Sequence, residues 1–248
     1  MEIYPAKETL SEPDLLEILS NGKCDLVGQF VFGSNAALLA QVTWQGEKLS
    51  AIYKPVQGET PLWDFPPETL ANRETAAYLV SSIAGWGLVP PTVNRVDTPF
   101  GGGSLQLFIP HDPDLHYFTF TKQLKDQLKS VVLFDALVNN ADRKGGHLLV
   151  DDNQKIWLID HGLCFHYQNK LRTVIWDYAG MPVPPELLDI LHPFQTGLRR
   201  ASPAHRMLAD LLSKKEFSAL VERLHGIIEN PMFPIPPENV RAFPYPLV

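Results

Sequence analysis

Apolar and polar positions along the chain predict strands in the first half and mostly helices in the second. Ser11-Glu12-Pro13-Asp14 has the form of a helix start, and Leu15, Leu16, Ile18 and Leu19 supply its apolar face before Asn21-Gly22 stops it. Three strand-like runs follow over 26–32, 36–44 and 49–54, broken at Gly33-Ser34-Asn35 and Gln45-Gly46-Glu47. Consecutive strands with tight turns predict an antiparallel meander. A helix is expected over 68–84 behind Pro66-Pro67, with Ala71, Ala76, Ala77, Leu79 and Val80 on its packed face. Two further strands are expected over 92–96 and 105–109, then one long helix over 121–138 carrying Leu124, Leu128, Val131, Val132, Phe134 and Val138. Asp135 stands among those apolar positions, either bonded to the turn that follows or half-exposed. Short helices near 184–191, 202–212 and 215–228 precede a proline-rich tail over 231–248.

The stretch after the long helix carries the chemistry. Two short apolar segments, 147–150 and 156–159, are split by the polar turn Asp151-Asp152-Asn153-Gln154, which is a hairpin signal. Asp142 precedes this hairpin in the turn-prone run Asn139-Asn140-Ala141-Asp142-Arg143-Lys144-Gly145-Gly146. Asp160 follows it, in a turn with His161-Gly162. Two carboxylates at opposite ends of one hairpin suit phosphoryl transfer, where one orients a hydroxyl and the other holds a metal on the nucleotide phosphates.

Composition narrows the classes. With 248 residues and 45% hydrophobic content the chain can bury a sizeable core. A net charge of -7 disfavours broad contact with nucleic acid or anionic lipid. Two cysteines, Cys24 and Cys164, are too few for a disulfide framework and lack metal-ligand spacing, which fits a reducing compartment. The first residues lack a basic region before an apolar core, and no apolar run approaches the roughly 20 residues that span a bilayer. The expectation is a cytoplasmic protein with no transmembrane segment and no nucleic-acid partner.

Asp142-Arg143, a ligand-type side chain five residues on, and then two hydrophobic residues before Asp160-x-Gly162 resemble the catalytic core of the phosphatidylinositol 3-/4-kinase-like family, in particular its bacterial members of uncertain substrate. Tyr53-Lys54-Pro55 resembles the family's Lys-Pro strand end, and Arg73-Glu74-x-Ala76-Ala77-Tyr78 its Arg-Glu-x-Ala-Ala-Tyr helix. One position departs from the pattern: the family's Asn is His147 here.

The resemblance implies an α+β, two-lobed protein-kinase-like fold forming a single catalytic domain over 1–248. Its N-lobe, about 24–110, would hold an antiparallel sheet and one main helix. Its mostly helical C-lobe, about 111–230, would carry the catalytic hairpin, with the first helix and the proline-rich tail packed on the domain. It also implies an ATP-dependent phosphotransferase using Mg²⁺ or Mn²⁺, whose partners are ATP and an unknown hydroxyl-bearing acceptor: a protein, a small molecule or a lipid. Asp142 would orient the acceptor hydroxyl, with Arg143 beside it organising the loop. Asp160 and His147 would hold the metal. Lys54 would face the phosphates and Glu74 would position Lys54. Gly33, Ser34 and Asn35 would lie over the phosphates, and Gln106 and Phe108 would line the adenine edge.

An imidazole at position 147 suits Mn²⁺ better than Mg²⁺ and must be neutral to ligate. Its ordinary pKa of about 6.5 implies loss of activity on acidification through that region. Lys170 and Arg172 are a modest supply of cations for a polyphosphorylated lipid. Two other classes stay open. One is a non-catalytic nucleotide-binding or scaffold module, suggested by His147 and the thin glycine signal. The other is a metal-dependent hydrolase built on His147, Asp160, His161 and His166.

Overall fold

A computed structural model of the chain describes residues 3–30 and 37–248. Helix α1 (Glu12–Asn21) starts where the sequence signals it: the Ser11 hydroxyl accepts from the Asp14 N–H, and the Asp14 carboxylate accepts from the Ser11 N–H at 2.8 Å. Strands β1 (Lys23–Phe30), β2 (Ala37–Trp44) and β3 (Glu47–Pro55) form the meander. The β2–β3 turn places Gln45 and Gly46 at φ 49° and 88°, which matches the right-handed twist of the flanking strands.

Helix α2 (Leu70–Ile83) follows, then β4 (Thr92–Arg95) and β5 (Gly103–Leu107). The sheet order is β1-β2-β3-β5-β4, and every pairing is antiparallel. Leu15, Ile18 and Leu19 of α1 pack with Val42, Leu49, Ala51, Tyr53 and Leu105 of the sheet in one apolar cluster.

The second half is mostly helical: α3 (Lys122–Lys125), α4 (Lys129–Val138), α5 (Pro185–Gly197), α6 (Pro203–Leu211) and α7 (Lys214–Glu229). Between α4 and α5 lies the two-stranded hairpin of β6 (Leu148–Val150) and β7 (Ile156–Leu158). The hairpin belongs to both cores. Leu148, Val150 and Leu158 pack with Phe134, Leu137, Phe165 and Leu220, whereas Leu149 joins the sheet cluster. Alternation along a strand sends neighbouring side chains to opposite faces, so this short hairpin bridges the two halves. The architecture is the expected α+β arrangement of an antiparallel-sheet half with one main helix and a helical half. Among the described residues no helix is long and apolar enough to cross a membrane.

The structure differs from the sequence expectation at three helices. The helix expected over 68–84 begins at Leu70, because Glu68 takes φ 62°. The Glu59 carboxylate reaches its first turn instead, accepting from the N–H groups of Leu70 and Ala71 at 3.1 and 3.4 Å. The helix expected over 121–138 is broken at 126–128. There Gln127 and Leu128 donate to Leu124 and Lys125, three residues back rather than four. That tighter turn leaves both Leu124 and Leu128 buried, so the apolar period runs across the break unaltered. Helix α5 continues through Pro193 to Gly197, anchored on either side of the proline by buried Leu191 and Phe194.

Candidate active site

Helix α4 ends at Asn139, whose φ of 53° turns the chain into the loop that carries Asp142. The Asn139 amide then pins the segment after β7: its Nδ2 donates to the carbonyls of His166 and Gln168 at 2.8 and 2.7 Å, and its Oδ1 accepts from the Lys170 N–H at 2.9 Å. Asn140 Oδ1 accepts from the Asp142 N–H at 2.9 Å, a local side-chain turn that fixes the Asp142 backbone.

Arg143 lies under this loop with no exposed surface. Its Nε meets Asp135 Oδ2 at 2.9 Å and its second terminal nitrogen meets Asp135 Oδ1 at 3.0 Å, a bidentate pair inside the core. Its first terminal nitrogen donates to the carbonyls of Ile159 and His147, at 2.9 and 3.3 Å. A guanidinium has no lone pair, so the 2.9 Å contact with His161 Nε2 makes that nitrogen the acceptor. His161 therefore carries its proton on Nδ1, which stands 3.8 Å from Glu74 Oε2 and has no hydrogen-bond partner. Arg143 thus ties α4, the Asp142 loop and the Asp160 turn together. Buried on Asp135, Arg143 organises the loop from beneath and does not itself face solvent beside Asp142.

Glu74, on α2, pairs through one oxygen with Lys54 of β3 and accepts the His161 N–H through the other at 2.9 Å. Lys54 Nζ is also 3.0 Å from Asp160 Oδ1. The three residues expected to act on the phosphates and their metal are therefore in contact. Burial alone would lower the Lys54 pKa, but Asp160 and Glu74 outweigh it and hold the ammonium above its ordinary range. Desolvation likewise pushes Asp160 up, yet Lys54 and His147 hold its carboxyl well below the usual carboxylate range. Its side chain remains 46% exposed.

His147 Nε2 lies 3.2 Å from Asp160 Oδ2. Burial, against the pull of Asp160, lowers its pKa to about 4. The ring is therefore neutral well below the 6.5 assumed from the sequence, and the expected acid limb at that value does not belong to His147. His147 Nδ1 accepts from the Lys144 N–H at 3.5 Å, so Nε2 carries the ring's proton and donates to Asp160; a divalent ion shared by the two side chains would have to displace that proton. Among the described residues no group of three His, Cys, Asp or Glu side chains converges on one point. Any such ion would take its remaining ligands from water and phosphate oxygens, as Mg²⁺ commonly does.

Asp142 is the less exposed of the two carboxylates. Its side chain is 23% exposed, and Lys144 Nζ is 3.3 Å from Oδ2. Burial pushes its carboxyl up to about 6, with Lys144 opposing and Asp160 adding to the shift. Lys144 was not singled out from the sequence, where a lysine in a polar turn carries no distinguishing signal.

Two other sets of expected residues carry contacts of their own. Gln106 lies within β5 between β3 and β4, and its Nε2 donates to Thr92 Oγ1 at 2.8 Å. The Phe108 N–H donates to the Ser50 carbonyl at 3.0 Å. Gln106 is thus turned into the sheet, and the Phe108 N–H is already bonded. The four-residue hydrolase cluster is not assembled. His161 is committed to Arg143, and His166 stacks on Tyr167 at 4.6 Å while its Nδ1 accepts from the Gln168 N–H. Gly33, Ser34 and Asn35 lie outside the described residues.

The family described as phosphatidylinositol 3- and 4-kinase matches residues 65–219, a span that holds Glu74, Asp142, His147 and Asp160 but not Lys54. A Mycobacterium tuberculosis protein, Rv2133c, is 35% identical over 92% of this chain and 94% of its own length. Phosphatidylinositol 4-kinase gamma 4 of Oryza sativa subsp. japonica is 27% identical over 57% of this chain and 32% of its own length. Among solved structures, hydra Fam20 with sugar superposes with a TM-score of 0.58 at 14% identity, over 88% of each chain. The Helicobacter pylori proinflammatory kinase CtkA superposes with a TM-score of 0.51 at 13% identity, over 87% of this chain and 94% of that one. At such identities these structures show the fold, which is kinase-like.

Proposed function

This chain belongs to the phosphatidylinositol 3- and 4-kinase family, and from that premise we propose that it is an ATP-dependent phosphotransferase moving the γ-phosphate to a hydroxyl acceptor. The observation that carries the reading is the contact set Lys54–Glu74–Asp160, with Asp142 at the other end of the same hairpin. Residues 1–248 act as one catalytic domain. Asp142 orients the acceptor hydroxyl and takes its proton at a carboxylate oxygen. Lys54, held by Glu74, turns its ammonium to the nucleotide phosphates. Asp160, with His147 beside it, would hold a divalent ion, Mg²⁺ or Mn²⁺, which would supply positive charge to offset that of the nucleotide phosphates. Arg143 keeps Asp142 and Asp160 in register through the Ile159 and His147 carbonyls. Its two free cysteines, Cys24 and Cys164, suit the reducing cytoplasm in which we place it.

Calorimetry with a non-hydrolysable ATP analogue is the direct test. Binding is expected only with Mg²⁺ or Mn²⁺ present; a folded protein that binds with neither removes the kinase reading. The imidazole at position 147 favours a second reading, nucleotide binding with little transfer, and binding without labelled phosphate reaching any acceptor or water would select it.

The same imidazole sets a metal preference. Nitrogen is a poorer ligand for Mg²⁺ than for Mn²⁺. The wild type is expected to bind the analogue more tightly with Mn²⁺ than with Mg²⁺, and His147→Asn to narrow that ratio. Identical Mn²⁺/Mg²⁺ affinity ratios in the two proteins would show that His147 does not ligate and only orients Asp160.

A further inference from the structure

The proline-rich tail does more than pack on the surface. After α7 it runs beside the segment following the Asp160 turn, where Gly180 donates to the Phe233 carbonyl at 3.2 Å and Phe233 donates to the Met181 carbonyl at 2.9 Å. It then reaches the Asp142 loop and the strand-like segment bridged to it. The Thr173 N–H donates to the Ala242 carbonyl at 3.1 Å, and Thr173 is itself bridged to Arg143. The Gly145 N–H donates to the Leu247 carbonyl at 2.7 Å.

Gly145 packs tightly under Phe118 and lies in ordinary contact with the tail. A Cβ there would stand 2.9 Å from the Phe118 ring and 3.4 Å from the Leu247 carbonyl oxygen. One residue on, a Cβ on Gly146 would lie 3.6 Å from Val248 Cγ1. Between the two anchors the tail is folded on itself, with Arg241 Nε donating to the Phe243 carbonyl at 2.7 Å and its guanidinium 5.6 Å from the Tyr245 ring. The Arg241 charge lies close enough to act on Asp142.

We propose that residues 241–248 are a self-docked strap across the acceptor side of the Asp142 loop, which admits small hydroxyl compounds to Asp142 and excludes protein-sized ones until it lifts. The strap is held to the loop by backbone hydrogen bonds at Thr173 and Gly145, and of its side chains only Pro244 is buried. Tyr245 is 80% exposed, and Phe243, Leu247 and Val248 are also exposed. Segments with few buried contacts open locally at low cost. A backbone hydrogen bond contributes about two- to tenfold to such an equilibrium, so the closed form prevails by about tenfold or more. The proposal rests on the kinase reading only in taking Asp142 as the transfer centre.

The test is steric and needs no acceptor to be identified. Lys144→Cys, in a Cys24→Ser background, places a thiol beside Asp142. Its labelling by iodoacetamide and by a maleimide carrying a polyethylene glycol chain is compared in the full chain and in one ended after Val240. The bulky reagent is expected to react about tenfold faster without the strap, and the small one within about twofold. Amide exchange in the full chain should show protection at Gly145 and Thr173 that the shortened chain loses. Equal rates for the bulky reagent in the two chains overturn the strap. So does equal acceleration of both reagents, which means general loosening, or an unprotected Gly145 and Thr173 in the full chain. Where the shortened chain does not fold, Phe243→Gly with Leu247→Gly loosens the segment at full length and is read in the same way. Absence of ATP binding removes the kinase reading through a separate measurement, leaving the labelling result to decide the strap.

Discussion

Replacing Asp142 by Asn is expected to cut phosphoryl transfer by about 10²- to 10⁴-fold while leaving metal–ATP affinity within about twofold. The amide has the shape of the carboxylate, and the turn that holds the residue runs from its backbone N–H to Asn140, so the loop is preserved. What is lost is a group that can accept the hydroxyl proton. The wild-type pH profile carries the same signature. Burial sets the Asp142 carboxyl at about 6, and only its ionised form accepts a proton. Transfer should therefore fall about tenfold per pH unit below that value and level off above it. His147 is already neutral there, and Asp160 stays ionised, so neither supplies that limb. Rates measured against pH should show the limb in the wild type and not in Asp142→Asn. Asp160→Asn should act differently, weakening the metal–ATP complex itself. If both variants lose metal–ATP affinity equally, the division of roles between the two carboxylates is wrong.

Asp142 and Asp160 stood out in the sequence because a hairpin signal separates them. Lys54 and Glu74 stood out only through the resemblance of Tyr53-Lys54-Pro55 and Arg73-Glu74-x-Ala76-Ala77-Tyr78 to the family's motifs, and it is the fold that brings the two into contact. What escaped the sequence depends on contacts between distant segments. Nothing local marks Glu59 as the partner of the α2 N-terminus eleven residues on. Gln106 reads as a cleft residue until the pairing of β5 between β3 and β4 turns it inward. The break before α4 is invisible because the leucines keep their period across it. The ordinary pKa of histidine misplaces the acid limb because burial, which a sequence does not display, moves His147 down and Asp142 up. The tail's two anchors are carbonyl oxygens, identical in every residue type, so its course over the loop has no sequence signal.

Arginine is seldom fully buried, and Arg143 is expected to show why this one is. Removing its partner with Asp135→Ala should destabilise the protein by about 3–5 kcal/mol in urea unfolding, because a guanidinium is then left inside the core without a counter-charge. Removing both charges with Asp135→Leu and Arg143→Met should cost much less than the sum of the two single changes. Well-packed apolar residues often replace a buried ion pair at little net cost. Activity should not follow stability. The Asp135–Arg143 pair is bidentate, but Arg143 also donates to the carbonyls of Ile159 and His147 and to His161 Nε2, and those bonds set Asp160 relative to Asp142. The double variant should therefore regain most of its stability and still transfer phosphate at least about 10²-fold more slowly than wild type, since a misplacement of about 1 Å costs that much. Arg143→Lys should also stay slow, because one ammonium cannot reproduce the planar fork that reaches Asp135 and the Ile159 carbonyl together. Recovery of transfer in the double variant, in step with its stability, would show that Arg143 serves the fold alone and that the catalytic loop keeps its geometry without it.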